Sequence, residues 1–193
     1  MIPDNLPHRI WQELARATQD RHHDWRTPVL ATVGVDQCPN ARTVVLRQAR
    51  EPVSELAFFT DGRSPKVAEL QAQPQAVLVF WSARLRWQLR VAARFEVLTH
   101  GPEVDTAWAR VGQSAAAGDY LTAQPPGQPW AEGEPLTAPI EAPVEAPTPA
   151  NTGAHHLAVV RARVQTMDWL ALGLDGQHRR ARMEGQAVTW LTP

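Results

Sequence analysis

Arg42-Thr43-Val44-Val45-Leu46-Arg47 is a β-branched apolar run closed at each end by a guanidinium. Read as a strand, its alternating side chains serve both a core and a surface. The paired arginines suit an anionic ligand that takes planar, multidentate donors, a phosphate above all. The same pattern also suits a solvated edge strand, so the flanking sequence has to decide.

Upstream, Val29-Leu30-Ala31-Thr32-Val33-Gly34-Val35 reads as a buried strand and Asp36-Gln37-Cys38-Pro39-Asn40 as a turn cluster, which makes 42–47 the returning arm of a β-hairpin. Downstream, Leu56-Ala57-Phe58-Phe59-Thr60 makes a third strand, broken by Asp61-Gly62-Arg63-Ser64-Pro65. Ser64 can cap and Pro65 can open a short helix through Lys66, Val67 and Leu70. That junction carries the most chemistry: free N–H groups at a helix start, with Arg63, Ser64 and Lys66 as further donors, form a candidate phosphate cradle. The bland reading of the junction is a capped surface helix with ordinary charges.

Ala76-Val77-Leu78-Val79-Phe80-Trp81 is nearly continuous apolar, as a central strand is. From Leu85 to Val97 the residues alternate, placing Trp87, Leu89, Val91, Ala93, Phe95 and Val97 on one face and Gln88 and Arg90 on the other. Five closely spaced strands with one intervening helix predict a mainly β fold with flanking helices, an antiparallel barrel that is closed or nearly so, and not a βαβ sheet. Ahead of it, Asn5, Pro7 and the spacing of Ile10, Trp11, Leu14 and Ala17 predict an amphipathic helix to about Asp20. His22 and His23 follow as solvated loop histidines.

Beyond the barrel, Val104 to Val111 around Trp108 is a helix candidate, and 124–153 is a proline-rich loop within a single domain spanning 1–193. Strands resume at His156 to Gln165, Met167 to Leu174 and Gln186 to Leu191. The basic run His178-Arg179-Arg180-Ala181-Arg182 reads equally as a solvated hairpin or a second anion clamp.

Composition excludes several classes. A net charge of −1 leaves no electrostatic footprint for nucleic acid or anionic membrane. The single cysteine, Cys38, rules out an internal disulfide and a cysteine zinc site. The expectation is a cytoplasmic protein, with no signal peptide, no membrane span and no metal site.

The order of these pieces resembles the pyridoxamine 5′-phosphate oxidase-related family of FMN-binding split β-barrels, in its branch of unassigned substrate. The resemblance rests on the leading helix, Arg42–Arg47, Phe59-Thr60 through Lys66, Phe80-Trp81 leading to Gln88, and Trp169 with its downstream basic run. It implies FMN as cofactor, preferred over FAD by a single terminal phosphate clamp, with the strand Arg42, Thr43, Val44, Val45 and Arg47 lining the flavin and Arg42 on its phosphate. Phe59 and Thr60 lead into the phosphate turn with Ser64 and Lys66, Gln88 approaches the ring edge, and Trp169 and Arg182 close over the cofactor. It also implies a homodimer with FMN in the subunit interface.

The departures lie on the substrate side. Pro65 stands where the family turn carries an arginine. Trp108-Ala109-Arg110-Val111-Gly112-Gln113 occupies the region that supplies a tyrosine and an arginine to the substrate phosphate in true oxidases. The C-terminal Arg-x-His has no clean equivalent, with His178 preceding Arg179 and Ala181 where a histidine is sought. The expected function is an FMN-dependent oxidoreductase acting on a small substrate other than pyridoxamine phosphate, through the flavin itself and without a catalytic acid or base. The alternative is a flavin carrier or sensor. Haem binding by His155 or His156 ranks below both, since paired histidines at a strand edge are usually bystanders.

Overall fold

The computed structural model describes residues 5–129, 155–174 and 176–193. The chain opens with α1 (Leu6–Gln19), started by the Asn5 side chain accepting from His8 N–H at 3.1 Å, with a proline in its first turn. Its apolar stripe places Ile10 and Leu14 fully inside the barrel end, and each such burial stabilises by about 1.5–3 kcal/mol.

The strands are β1 (Val29–Val33), β2 (Pro39–Thr43), β3 (Leu46–Arg50), β4 (Glu55–Asp61), β5 (Gln75–Ser82), β6 (Trp87–Leu98), β7 (Leu157–Ala171), β8 (Arg179–Glu184) and β9 (Ala187–Leu191). Helix α2 (Pro65–Ala72) joins β4 to β5, and α3 (Pro102–Val111) follows β6. All pairings are antiparallel, in the order β2-β1-β5-β6-β7-β4-β3, with β8 and β9 added alongside β7.

That order corrects the first expectation. Arg42–Arg47 is not one strand: β2 ends at Thr43, β3 begins at Leu46, and the two lie at opposite ends of the strand path, joined only by Val44 and Val45. Val44 N–H donates to Pro28 O at 3.0 Å and the Val44 side chain is buried, which pins the crossing. The sheet therefore curls until its edges are two residues apart without pairing, the architecture of a split barrel.

Two expected strands merge in β7. A bulge moves the register from Ala92↔Thr166 to Ala93↔Val164, leaving Gln165 as the extra residue, so the strand continues where the apolar pattern changes phase. The basic run is itself a strand, β8, with Ala181 buried inward. His23 is also corrected. Its ring is largely buried, Nδ1 accepts from Trp25 N–H, and Nε2 lies 3.0 Å from the buried Glu13 carboxylate.

Two apolar clusters organise the interior. The larger fills the barrel from Leu30, Leu46, Phe58, Phe80, Val91 and Trp169 outward to α1. The smaller lies under α3, where Val104, Ala107 and Val111 pack on Tyr120, Leu157 and Val159, with Phe59 beside them. Strand β4 is covered on both faces, which is why it reads as a continuous apolar run. The expected proline-rich loop lies, from residue 130 onward, outside the described residues.

Candidate functional site

The twelve residues singled out in the sequence fall into four places. The first is the turn ahead of α2. Lys66 Nζ donates to Thr60 Oγ1 at 3.1 Å and to Ser64 Oγ at 3.0 Å, and the two hydroxyls lie 3.2 Å apart. Ser64 stands at the N-cap position of α2, as the sequence predicts, but its side chain makes no capping bond and is committed to this cluster. Burial and the neighbouring Arg42 charge hold the Lys66 ammonium below its ordinary pKa, the response of a partly desolvated cation beside another.

Arg42 reaches the same region from β2. Its Nη2 pairs with Glu69 Oε2 at 2.7 Å and its Nη1 donates to Thr32 Oγ1. Glu69 also accepts from Thr32 Oγ1 at 2.6 Å and Asn40 Nδ2 at 2.8 Å. Burial pushes the Glu69 carboxyl up, but those hydrogen bonds and the Arg42 charge outweigh it, leaving the group below its ordinary value. Arg63 is engaged elsewhere. It pairs with Asp61 at 2.7 Å and donates to Thr122 O at 2.9 Å and Ala123 O at 3.1 Å, so it does not stand in for the arginine that Pro65 replaces.

The second place is a cleft of about 500 Å³ between β3, β4 and α3. Arg47 lies over the Phe59 ring at 5.8 Å, and its buried Nε has no hydrogen-bond partner among the described residues. Arg50 and Arg110 line the same cleft, with Ser114 and an apolar wall of Ala107, Val111 and Val159. Tyr120 lies beside Arg47; burial raises its hydroxyl pKa and the Arg47 charge opposes that shift. Positive charge is therefore gathered in this cleft, with Arg110 supplied by the 108–113 segment.

The third place is the outer face of the sheet. Thr43, Val29, Val79, Arg90, Asp168, Arg182 and Thr189 form one row of successive cross-strand partners, and Gln88 sits one row away opposite Trp81. Asp168 pairs with both Arg90 and Arg180, at 2.6 and 2.8 Å. The fourth place is the core. Val44 is buried there, and Trp169 is 2 % exposed and edge-on to Trp87. Val45 occupies the crossing between β2 and β3.

Sequence reasoning missed Glu69 and Thr32, which hold Arg42, Asn40, which donates to Glu69, and Arg50 and Arg110 in the cleft. Glu69 carries a local signal, one helical turn after Lys66. Thr32 and Asn40 become partners only through the β1–β2 register. Among the described residues no cluster of metal-ligating side chains forms, and no helix is long and apolar enough to cross a membrane. His155 stacks on Trp108 at 4.2 Å, and its Nδ1 accepts from Leu157 N–H.

The strand order and the hydroxyl–lysine turn at the start of α2 define a split barrel with a donor-rich helix start. Residues 8–99, a little under half of the chain, match the family described as pyridoxamine 5′-phosphate oxidase, FMN-binding domain. A pyridoxine/pyridoxamine 5′-phosphate oxidase of Thermosynechococcus vestitus is 38% identical over 123 residues, covering 63% of this chain and 49% of that one. One of Myxococcus xanthus is 33% identical over 138 residues, covering 72% and 65%. The matches thus span about half to two thirds of these relatives' own lengths.

Among solved structures, a pyridoxamine 5′-phosphate oxidase-related, FMN binding protein from Nostoc punctiforme aligns over 100% of both chains with TM-score 0.69 and 23% identity. PhzG from Burkholderia lata, in complex with tetrahydrophenazine-1-carboxylic acid, aligns over 99% of this chain and 94% of that one with TM-score 0.70 and 20% identity. These likenesses establish the fold. The family stretch includes Arg42 through Gln88 and ends before Trp169 and Arg182.

Proposed function

We propose that the protein is an FMN-dependent oxidoreductase acting on a small anionic substrate. The observation that carries the reading is the Thr60–Ser64–Lys66 cluster with Arg42 beside it, inside the matched FMN-binding domain. Two hydroxyls, an ammonium and a guanidinium are the donor set a phosphate monoester takes, so the residues present fit the cofactor. Arg42, Thr60, Ser64 and Lys66 would hold the phosphate. Thr43, Gln88 and Arg182 would address the ring from the outer sheet face.

Bound FMN supplies the hydride or electron chemistry. The chain's own part is to hold the phosphate, present donors to the ring and orient a substrate anion at Arg47 and Arg110. Within one chain the turn cluster and the outer-face residues point to opposite sides of the sheet, which supports a homodimer with the cofactor between subunits. The single, exposed Cys38 supports a reducing, cytoplasmic setting.

The test is anaerobic visible spectroscopy of the protein reconstituted with FMN, before and after NADPH and a panel of reduced substrates, beside an Arg42→Ala/Lys66→Ala variant. Stoichiometric flavin that the variant cannot hold, bleached by a donor with turnover, is the expected result; bound flavin that no donor reduces would overturn the enzymatic reading. A second reading, a flavin carrier or sensor, is favoured by one feature of the cleft. Its only carboxylate, Glu103, is paired with Arg161 at 3.0 Å, leaving no free acid or base there among the described residues. Tight FMN without turnover would select it. Pyridoxal phosphate formation above a no-enzyme control would instead restore the oxidase activity of the relatives.

A further inference from the structure

Four of the eight tryptophans form a continuous file through the barrel. Trp25 and Trp87 have ring centroids 6.4 Å apart, Trp87 and Trp169 5.2 Å, and Trp169 and Trp190 6.5 Å. The file begins at a fully buried indole beside His23 and ends at Trp190, half exposed on β9. A second cleft, of about 250 Å³, opens onto Trp87 and Trp169. Adjacent rings in near contact couple well enough electronically for one-electron oxidation to pass by short hops, since tunnelling falls steeply with distance.

The hydrogen bonding grades the file. The indole N–H groups of Trp25 and Trp169 are buried and have no acceptor among the described residues. An oxidised indole there has nowhere to put its proton, and burial disfavours the cation, so the hole neither settles nor reacts. At Trp190 water stabilises the cation and takes the proton.

We infer that Trp25, Trp87, Trp169 and Trp190 form a hole-conducting wire that discharges a one-electron oxidant in the barrel interior to the protein surface. The oxidant, an oxidising radical or a photo-excited aromatic cofactor, gains one electron from an interior tryptophan. Successive electron transfers refill that ring from Trp169 and then Trp190. The Trp190 cation loses its indole proton to water, and the neutral radical recovers an electron and a proton from a solution thiol. The sum is oxidant plus thiol giving reduced oxidant, thiyl radical and a proton. The inference needs no bound flavin, so its failure and that of the proposed function are separable.

The test injects the hole at the far end. In the full chain, Cys38→Ser removes the sole thiol and His22→Cys, next to His23 on Trp25, takes a thiol-reactive ruthenium polypyridyl photo-oxidant. Flash-quench oxidation is followed by the tryptophan-radical absorbance and by peptide mass spectrometry of oxidised tryptophan. Oxidation is expected to concentrate on Trp190 and to be lost from it in Trp87→Phe, where damage stops at Trp25. In Trp190→Phe it should fall back on the buried rings. Oxidation confined to Trp25 in the parent, or Trp190 oxidation unchanged by Trp87→Phe, would overturn the inference. Should Trp87→Phe fail to keep the parent's circular dichroism, the exposed Trp190→Phe variant decides alone, an unchanged pattern of damage at the buried rings counting against the wire.

Discussion

The turn cluster and the cleft handle positive charge in opposite ways. Around α2 every cation is matched: Arg42 to Glu69, Arg63 to Asp61, Lys66 to two hydroxyls. In the cleft Arg47 leaves a buried nitrogen without an acceptor, and Arg110 makes no ion pair among the described residues. The first arrangement is preorganised, its donors held by strands and helix before any ligand arrives. The second leaves Arg47 Nε and Arg110 open to a ligand, while Arg50 is paired with Glu55 at 3.3 Å. A cofactor that stays bound suits the former and a substrate that comes and goes suits the latter.

Stability separates the two most strongly. Arg42→Ala leaves the buried Glu69 carboxylate without its cation and should cost about 3 kcal/mol, whereas Arg110→Ala should stay within about 0.5 kcal/mol of the parent. Urea unfolding of both variants measures this, and equal losses would erase the distinction. Ligand binding should then divide the regions by ligand. Lys66→Ala is expected to weaken FMN by about 10- to 100-fold, the worth of a charge-assisted hydrogen bond, with little change from Arg110→Ala. For pyridoxal 5′-phosphate, used as a phosphorylated probe of the cleft, Arg110→Ala should be the damaging variant. A titration in which both ligands respond to the same substitution would merge the sites.

Much of this was legible before any coordinates. The hairpin, the turn at Ser64 and the alternation of β6 follow from local chemistry, because strand period and helix capping act within a few residues. The seam at Val44–Val45 was not, since Arg42–Arg47 has one unbroken strand pattern and only the competition for partners, β1 for β2 and β4 for β3, divides it. The same holds for Glu69. A helical glutamate beside a lysine looks like solvated charge until the sheet brings Thr32, Asn40 and Arg42 to it. Contacts set by local spacing were legible, and those set by sheet register were not.

Acid should expose the contrast again. Glu69 and Asp61 both sit below their ordinary carboxyl pKa values, each raised by burial and lowered further by hydrogen bonds and an arginine. A carboxyl with a depressed folded-state pKa contributes stability that is complete above its unfolded value, about 4, and is lost as pH falls through the folded one. The gap between parent and Arg42→Ala should therefore be widest near neutral pH and close below about pH 4. Arg110→Ala should track the parent throughout. Unfolding free energies at stepped pH read this directly, and a gap that stays constant into acid would mean that Glu69 is not the group Arg42 serves.

The smallest effect tests how the open cleft keeps its arginine in place. Arg47 has no carboxylate partner among the described residues, and what orders its guanidinium is the Phe59 face at 5.8 Å and Tyr120. Phe59→Leu keeps apolar volume while removing the ring's attraction for the cation, worth about 0.5–1 kcal/mol at a partly solvated site. Affinity for the phosphorylated probe should then fall by about two- to fivefold, with FMN affinity unchanged. The direction matters more than the size. Phe59 precedes Thr60 on β4 and its side chain takes the opposite face, so a loss confined to FMN would put the ring back on the cofactor side, where the family resemblance places it. A loss confined to the probe would mean that a single strand serves two ligands through alternate residues, with the paired charges on one face and the unpaired arginine on the other.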